Sequence, residues 1–144
     1  MSIKNVIATE NAPKAIGPYS QAICVNGVIA TSGQLPIDPA TGKLAEGGIA
    51  EQTEQSLRNL EAILAQADLT VDNVIKTTVF LADIADFAAM NAVYAKHFTS
   101  DFPARSAFQV AALPMGALVE IEALCARNMI PTVDMLGGDC GCNG

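Results

Sequence analysis

The spacing of apolar residues changes twice along this chain, and that change constrains its fold more than any other feature. Between residues 51 and 67, Leu57, Leu60, Leu64 and Ala67 recur at steps of three and four, with Ile63 beside them. Such a stripe lies on one side of an α-helix. Glu54, Arg58, Glu61 and Gln66 fall on the opposite side, so one face packs and the other is wet. A second amphipathic stretch covers about 86–98 and lines up Phe87, Met90, Tyr94 and His97. Elsewhere the apolar residues form short runs, as strands do: 3–8, 21–25, 28–33, 74–82 (β-branched as well as apolar), 104–111 and 117–126.

Turn chemistry separates these runs. Residues 15–20 read as a turn. Asn26-Gly27 sits between two strands, where a two-residue hairpin needs positive φ at both positions. Pro36, Pro39, Gly42, Gly47 and Gly48 make 35–48 a loop, residues 68–73 break the first helix, and Leu113-Pro114-Met115-Gly116 joins the last two strands. The expected order is β-β-β-α-β-α-β-β, with a hairpin at each end. That order predicts an α+β domain, a sheet with both helices on one face. In the last strand Val119, Ile121, Ala123 and Cys125 form an apolar face for those helices. The other face carries Leu118, Glu120, Glu122 and Leu124, a mixture suited to an interface that contains a site.

Length and charge narrow the function. A chain of 144 residues suits one domain, here 1–129, followed by a C-terminal extension over 130–144 that is expected to be partly flexible. Charged residues are only 16% of the chain, too few to cover a lone particle of this size, so some apolar surface is expected to be buried between subunits. The net charge of −7, with no Lys/Arg run, disfavours a nucleic-acid ligand. No apolar stretch is long enough to span a bilayer and no signal-peptide core is visible, so the expected compartment is the cytoplasm. Cys24 and Cys125 lie in apolar strands, whereas Cys140 and Cys142 lie in a glycine-rich tail. Two thiolates there fall short of the four ligands of a structural zinc site, and no disulfide framework is implied.

His97 is the only histidine, which excludes metal sites built on several histidines and a His-based dyad elsewhere. On an apolar helix stripe it reads as a packing or hydrogen-bonded residue. There is no phosphate-cradling glycine motif. Arg105 opens a strand after Phe102-Pro103-Ala104 and can fork onto a planar carboxylate. From spacing alone a structural ion pair with Glu120 or Glu122 is favoured over that role. Glu120 and Glu122 share one strand face, where mutual repulsion and burial would raise a pKa and suit proton transfer. Tyr19 and Ser32 read as ordinary turn and strand-end residues.

Several segments in order carry a family resemblance: Ala12-Pro13, Ile16-Gly17-Pro18-Tyr19-Ser20-Gln21-Ala22, Thr31-Ser32-Gly33-Gln34-Leu35-Pro36 and Asp38-Pro39-Ala40-Thr41-Gly42. They continue with Gln55-Ser56-Leu57-Arg58-Asn59-Leu60, Val74-Ile75-Lys76-Thr77-Thr78-Val79-Phe80-Leu81, Phe102-Pro103-Ala104-Arg105-Ser106, and Leu113-Pro114 through Val119-Glu120-Ile121-Glu122-Ala123. From about residue 5 to 128 the sequence resembles the RidA (YjgF) family of reactive intermediate deaminases.

The resemblance implies a chorismate-mutase-like sheet with two helices on one face. It also implies a homotrimer whose sheets form a central barrel, with a site in each inter-subunit cleft. The implied activity is hydrolysis of 2-iminobutanoate and 2-iminopropanoate to 2-keto acids and ammonia, without a metal or cofactor, which protects pyridoxal-phosphate enzymes from reactive imines. Arg105 would hold the carboxylate and Glu120 would handle the attacking water or departing ammonia, with Tyr19, Ser32, Asn91 and Ala107 lining the pocket. Many members carry Cys where this chain has Ala107, so a thiol nucleophile is excluded at that position, whereas water held by the backbone there is not. Alternatives are a non-catalytic protein that binds small carboxylates and, further off, an RNA-cleaving translation inhibitor.

Overall fold

The computed structural model describes residues 1–128. The expectations for the Cys140 and Cys142 tail lie outside the described residues. Ten elements follow in order: β1 (Asn5–Ile7), β2 (Ala22–Val25), β3 (Val28–Thr31), β4 (Ile37–Asp38), β5 (Lys43–Leu44), α1 (Ile49–Gln66), β6 (Val74–Leu81), α2 (Phe87–His97), β7 (Ala104–Gln109) and β8 (Val119–Ala126). Six strands form one sheet in the order β1-β2-β3-β8-β6-β7, and β4 pairs with β5 as a separate ribbon. Among the described residues no helix is long and apolar enough to cross a membrane.

The two helices and the N-terminal hairpin lie where the residue pattern puts them. Asn26 and Gly27 have φ of 49° and 79°, the positive values that bring β2 back along β3. In α1, Leu57, Leu60, Ile63 and Leu64 are at most 3% exposed. Truncating such a leucine to alanine costs about 2–5 kcal/mol, because the cavity collapses only in part. Helix α1 ends in a Schellman motif: Leu69 N–H donates to the Leu64 carbonyl (2.9 Å) and Asp68 N–H to that of Ala65 (3.0 Å), with Asp68 at φ 57°. The guanidinium of Arg127 donates to the Ala67 carbonyl (2.7 Å), bringing a cation to that helix end.

Two expectations need correction. The loop over 35–48 holds the short β4–β5 pair, in which Ile37 faces Leu44. More consequentially, the last two strands are not a hairpin. Strand β7 runs parallel to β6 at the sheet edge, with Thr77 opposite Arg105, and β8 enters between β3 and β6, antiparallel to both. The cause is the intervening helix. Parallel strands require a crossover of about a dozen residues or more, which α2 and its flanks supply. Strand β8 alternates strictly, with Val119, Ile121, Ala123 and Cys125 at most 5% exposed, so it takes the central place against α1.

His97 braces the two helices. Its Nδ1 lies 2.6 Å from Glu61 Oε1 and its Nε2 lies 2.6 Å from Glu54 Oε2, so two residues of the wet side of α1 close on the end of α2. Burial of the imidazole pulls its pKa down, but hydrogen bonds and charge from Glu54 and Glu61 outweigh that and leave it raised above 6.5. Burial likewise pushes Glu54 up, yet His97 and Arg58 leave it below 4.5. A raised histidine contributes stability that is complete below its unfolded pKa and is lost as pH rises through the folded value. A lowered carboxylate contributes above its unfolded pKa and loses that as pH falls. The melting temperature is therefore expected to peak between the two ordinary values and decline on the alkaline side. Scanning calorimetry against pH should show that decline flattened in His97→Gln.

Candidate functional site

The edge position of β7 exposes one end of Arg105 to a cleft at the rim of the sheet. Thr77 faces both Arg105 and Ala123 in the strand register, so Arg105 shares the helix-covered face. Helix α2 lies over it. One guanidinium N–H of Arg105 donates to Asn91 Oδ1 (2.7 Å), and the guanidinium carbon lies 4.7 Å from the Tyr94 ring centroid and 5.4 Å from that of Phe87. Asn91, Tyr94, Ala95, Phe102, Pro103 and Arg105 line a cleft of about 440 Å³. Among the described residues no carboxylate comes within ion-pair distance of Arg105; the ion pairs there involve Arg58 and His97. The ion pair with Glu120 or Glu122 that spacing alone favours is absent. The reason is parity, since Glu120 faces Phe80, and Glu122 faces Thr78, on the opposite side of the sheet.

Ala107 faces Val79 two residues beyond Arg105, on the same side, and packs on the core. A methyl group there supplies no nucleophile.

Glu120 belongs to a second cluster. The segment after β3 is tied to β8 by reciprocal hydrogen bonds, Gln34 N–H to the Ile121 carbonyl (2.7 Å) and Ile121 N–H to the Gln34 carbonyl (3.1 Å). That clamp lays Gly33 against the Glu120 side chain. A Cβ at Gly33 would collide with the Glu120 carboxyl group, so a larger residue there would push the carboxylate out of this position. Ser32 directs its hydroxyl into the chain, donating to the Ser20 carbonyl (2.6 Å). Gly33, Gln34, Tyr19, Pro114 and Met115 line an apolar cleft of about 370 Å³. Tyr19 is half-exposed, and its hydroxyl accepts a long hydrogen bond from Ile16 N–H (3.4 Å).

The sequence-derived candidates thus fall into two groups. Arg105, Asn91 and Ala107 lie together, as do Glu120, Ser32 and Tyr19 around Gly33, and one chain does not join them. Sequence reasoning passed over Gly33, although a glycine at a strand end is a known sign of close approach. It also passed over Thr77 and the role of Tyr94, which only the register and the helix packing make visible. Among the described residues no group of three or more His, Cys, Asp or Glu side chains could hold a metal ion.

Burial raises the Glu120 pKa above 4.5, and the charge of Glu122 on the same face adds to it. The carboxyl is thereby moved toward the range where it both accepts and returns a proton.

Both helices on one face of a mixed sheet, with β8 at its centre, define an α+β domain of the chorismate-mutase-like class. The chain belongs to the RidA/YjgF family: the family model described as Endoribonuclease L-PSP matches residues 9–127. A human protein named 2-iminobutanoate/2-iminopropanoate deaminase is 50% identical over 133 residues, covering 92% of this chain and 97% of that one. A RutC family protein of Pyrococcus horikoshii is 52% identical over 125 residues, 87% of this chain and 99% of its own. The crystal structure of the YjgF gene product of E. coli superposes with a TM-score of 0.81 at 47% identity, covering 86% of this chain and 99% of the other. RidA from an Antarctic Psychrobacter gives 0.82 at 43% identity, with 85% and 99% covered.

Carbon-13 NMR titration of the Glu120 carboxyl should give a midpoint above that of an exposed glutamate. Glu122→Gln should lower that midpoint without restoring it fully, because burial persists. An unchanged midpoint would remove Glu122 as a cause.

Proposed function

We propose that this chain hydrolyses 2-imino acids such as 2-iminobutanoate and 2-iminopropanoate to the 2-keto acid and ammonia. The observation that carries the proposal is Arg105. It is held by Asn91 and two aromatic rings, it lines a cleft, and it has no carboxylate partner among the described residues. An arginine so placed is complementary to a planar carboxylate that arrives with a ligand. The human relative named for this activity, 50% identical over nearly the whole length of both chains, supports it.

The chemistry demands little of the protein. The imine carbon is already electrophilic once its nitrogen is protonated. Water bonds to that carbon while the C=N electron pair moves onto nitrogen, and Glu120 takes a proton from the water. Glu120 passes that proton to nitrogen, and the C–N bond breaks with its electron pair leaving on ammonia. The remaining hydroxyl gives its proton back to Glu120 as the keto group forms, and the departing ammonia carries that proton away as ammonium. One carboxyl of raised pKa serves both transfers, and Arg105 keeps the carbon aimed at the water.

Arg105 and Glu120 occupy opposite faces of one sheet, so we assign them to the two sides of a cleft between neighbouring copies. The face carrying Glu120 also carries Val6, Val28, Phe108 and Leu124, all exposed, an apolar surface suited to a second copy. Three copies closing around a central barrel satisfy all the interfaces at once. The family model's description names an endoribonuclease, but the net charge of −7 argues against RNA as the ligand.

Ammonia release from imines generated by an amino-acid oxidase tests the activity. Arg105→Lys is expected to raise KM, since the charge survives but the fork does not. Glu120→Gln should lower kcat by about 10²- to 10⁴-fold with little change in KM; a kcat near wild type would remove Glu120 from the chemistry. Sedimentation equilibrium should give three copies per particle. Refolding Arg105→Ala with Glu120→Gln in equal amounts should restore activity to roughly a quarter of wild type, because about one cleft in four then receives both intact residues. No recovery would place both residues of each site in one chain.

A further inference from the structure

We propose that Tyr94 is a positioning residue for Arg105, its ring pinned by the Thr77 hydroxyl so that the guanidinium is held in one plane for the incoming carboxylate. The proposal rests on Arg105 as the carboxylate grip and names what sets its orientation.

Three residues of α2, Phe87, Asn91 and Tyr94, stand at i, i+4 and i+7, one stripe of the helix. All three touch Arg105. Asn91 takes a single N–H. One hydrogen bond fixes a point on the guanidinium but leaves its plane free to rotate about that contact. The face of the group must be held by something else, and Tyr94 is the nearer of the two rings, 4.7 Å away against 5.4 Å for Phe87.

The Tyr94 ring is itself immobilised at both ends. Its hydroxyl shares a 2.7 Å hydrogen bond with Thr77 Oγ1, and its ring lies 4.5 Å from that of Phe98. Thr77 is fully buried and Tyr94 is 6% exposed, so neither hydroxyl has water as a substitute partner. Thr77 also lies directly opposite Arg105 in the parallel β6–β7 register. Thr77, Tyr94 and Arg105 therefore close a triangle spanning two strands and a helix. Its sheet corner anchors the ring that supports the arginine. Burial raises the phenol pKa above its ordinary value. A cation over an aromatic face is attracted more strongly as it loses solvent, and Arg105 is partly buried beneath α2. Lysine lacks the planar face that stacks on such a ring.

The test is made on the full-length protein, by titration calorimetry with the stable product 2-oxobutanoate and by steady-state kinetics on the imine. Tyr94→Leu is expected to weaken 2-oxobutanoate binding and raise KM by about tenfold, with a smaller change in kcat. Tyr94→Phe keeps the platform and loses only its anchor, so it should recover most of the binding that Tyr94→Leu loses. Thr77→Val should resemble Tyr94→Phe. Combining those two should cost no more than either alone, since both remove one shared hydrogen bond. A purely structural tyrosine would instead lower the melting temperature of Tyr94→Leu and leave Kd and KM within about twofold of wild type, which overturns the proposal. If Arg105→Lys also leaves Kd and KM unchanged, the carboxylate grip itself falls and the positioning role falls with it. A tenfold change for Arg105→Lys beside none for Tyr94→Leu rejects the positioning role alone.

Discussion

The two-residue alternation of β8 is the constraint on which the rest of the structure depends. Its odd-numbered side chains, Val119 to Cys125, are buried under α1, and its even-numbered ones, Glu120 and Glu122, are thereby turned to the other face. A strand buried on one side cannot slip by a single residue without inverting every side chain, so the position of Glu120 follows from the apolar partition itself. The same register determines where Arg105 stands. Thr77 of β6 links β7 on one flank to β8 on the other, and parity puts Arg105 on the helix side. An acid and a base that could have neutralised each other are kept apart by the thickness of a sheet.

That separation has a chemical consequence. A guanidinium paired with its own glutamate would be a structural element, unavailable to a substrate. Here the Arg105 charge is met by an amide oxygen and two ring faces, which stabilise the cation without neutralising it. Glu120, lacking the arginine, has burial and Glu122 as its main influences, and both favour its protonated form. Within one chain neither group neutralises the other. Helix α2 brings Asn91 and Tyr94 to Arg105 with one stripe, and its far end is held to α1 by His97 between Glu54 and Glu61. The support of the arginine is thereby continuous with the main packing of the domain.

Much of this was legible in the residues. The α1 stripe, the Asn26-Gly27 turn and the apolar face of β8 all rest on local rules, since a helix or strand face is defined by neighbours a few positions away. The resemblance carried Arg105, Glu120, Tyr19, Ser32 and Asn91 as candidates, which spacing could not have ranked. What was missed is pairing. Periodicity tells which side of a strand is buried but not which strand lies beside it, so β7 and β8 looked like a hairpin although α2 sends β7 to the edge, parallel to β6. The ion pair of Arg105 with Glu120 or Glu122 failed because the register through β6 puts the arginine and both glutamates on opposite faces.

The sequence by itself therefore determined the two helices and the strands of the main sheet, their buried faces and the types of side chain available for chemistry. Only the tertiary structure decided that Glu120 rests on Gly33, that the Thr77 hydroxyl meets Tyr94, and that Arg105 has no carboxylate partner among the described residues. Those contacts join residues far apart in the chain. Their geometry is set by strand order and helix packing, which arise from the burial of the whole core and from no single segment of it.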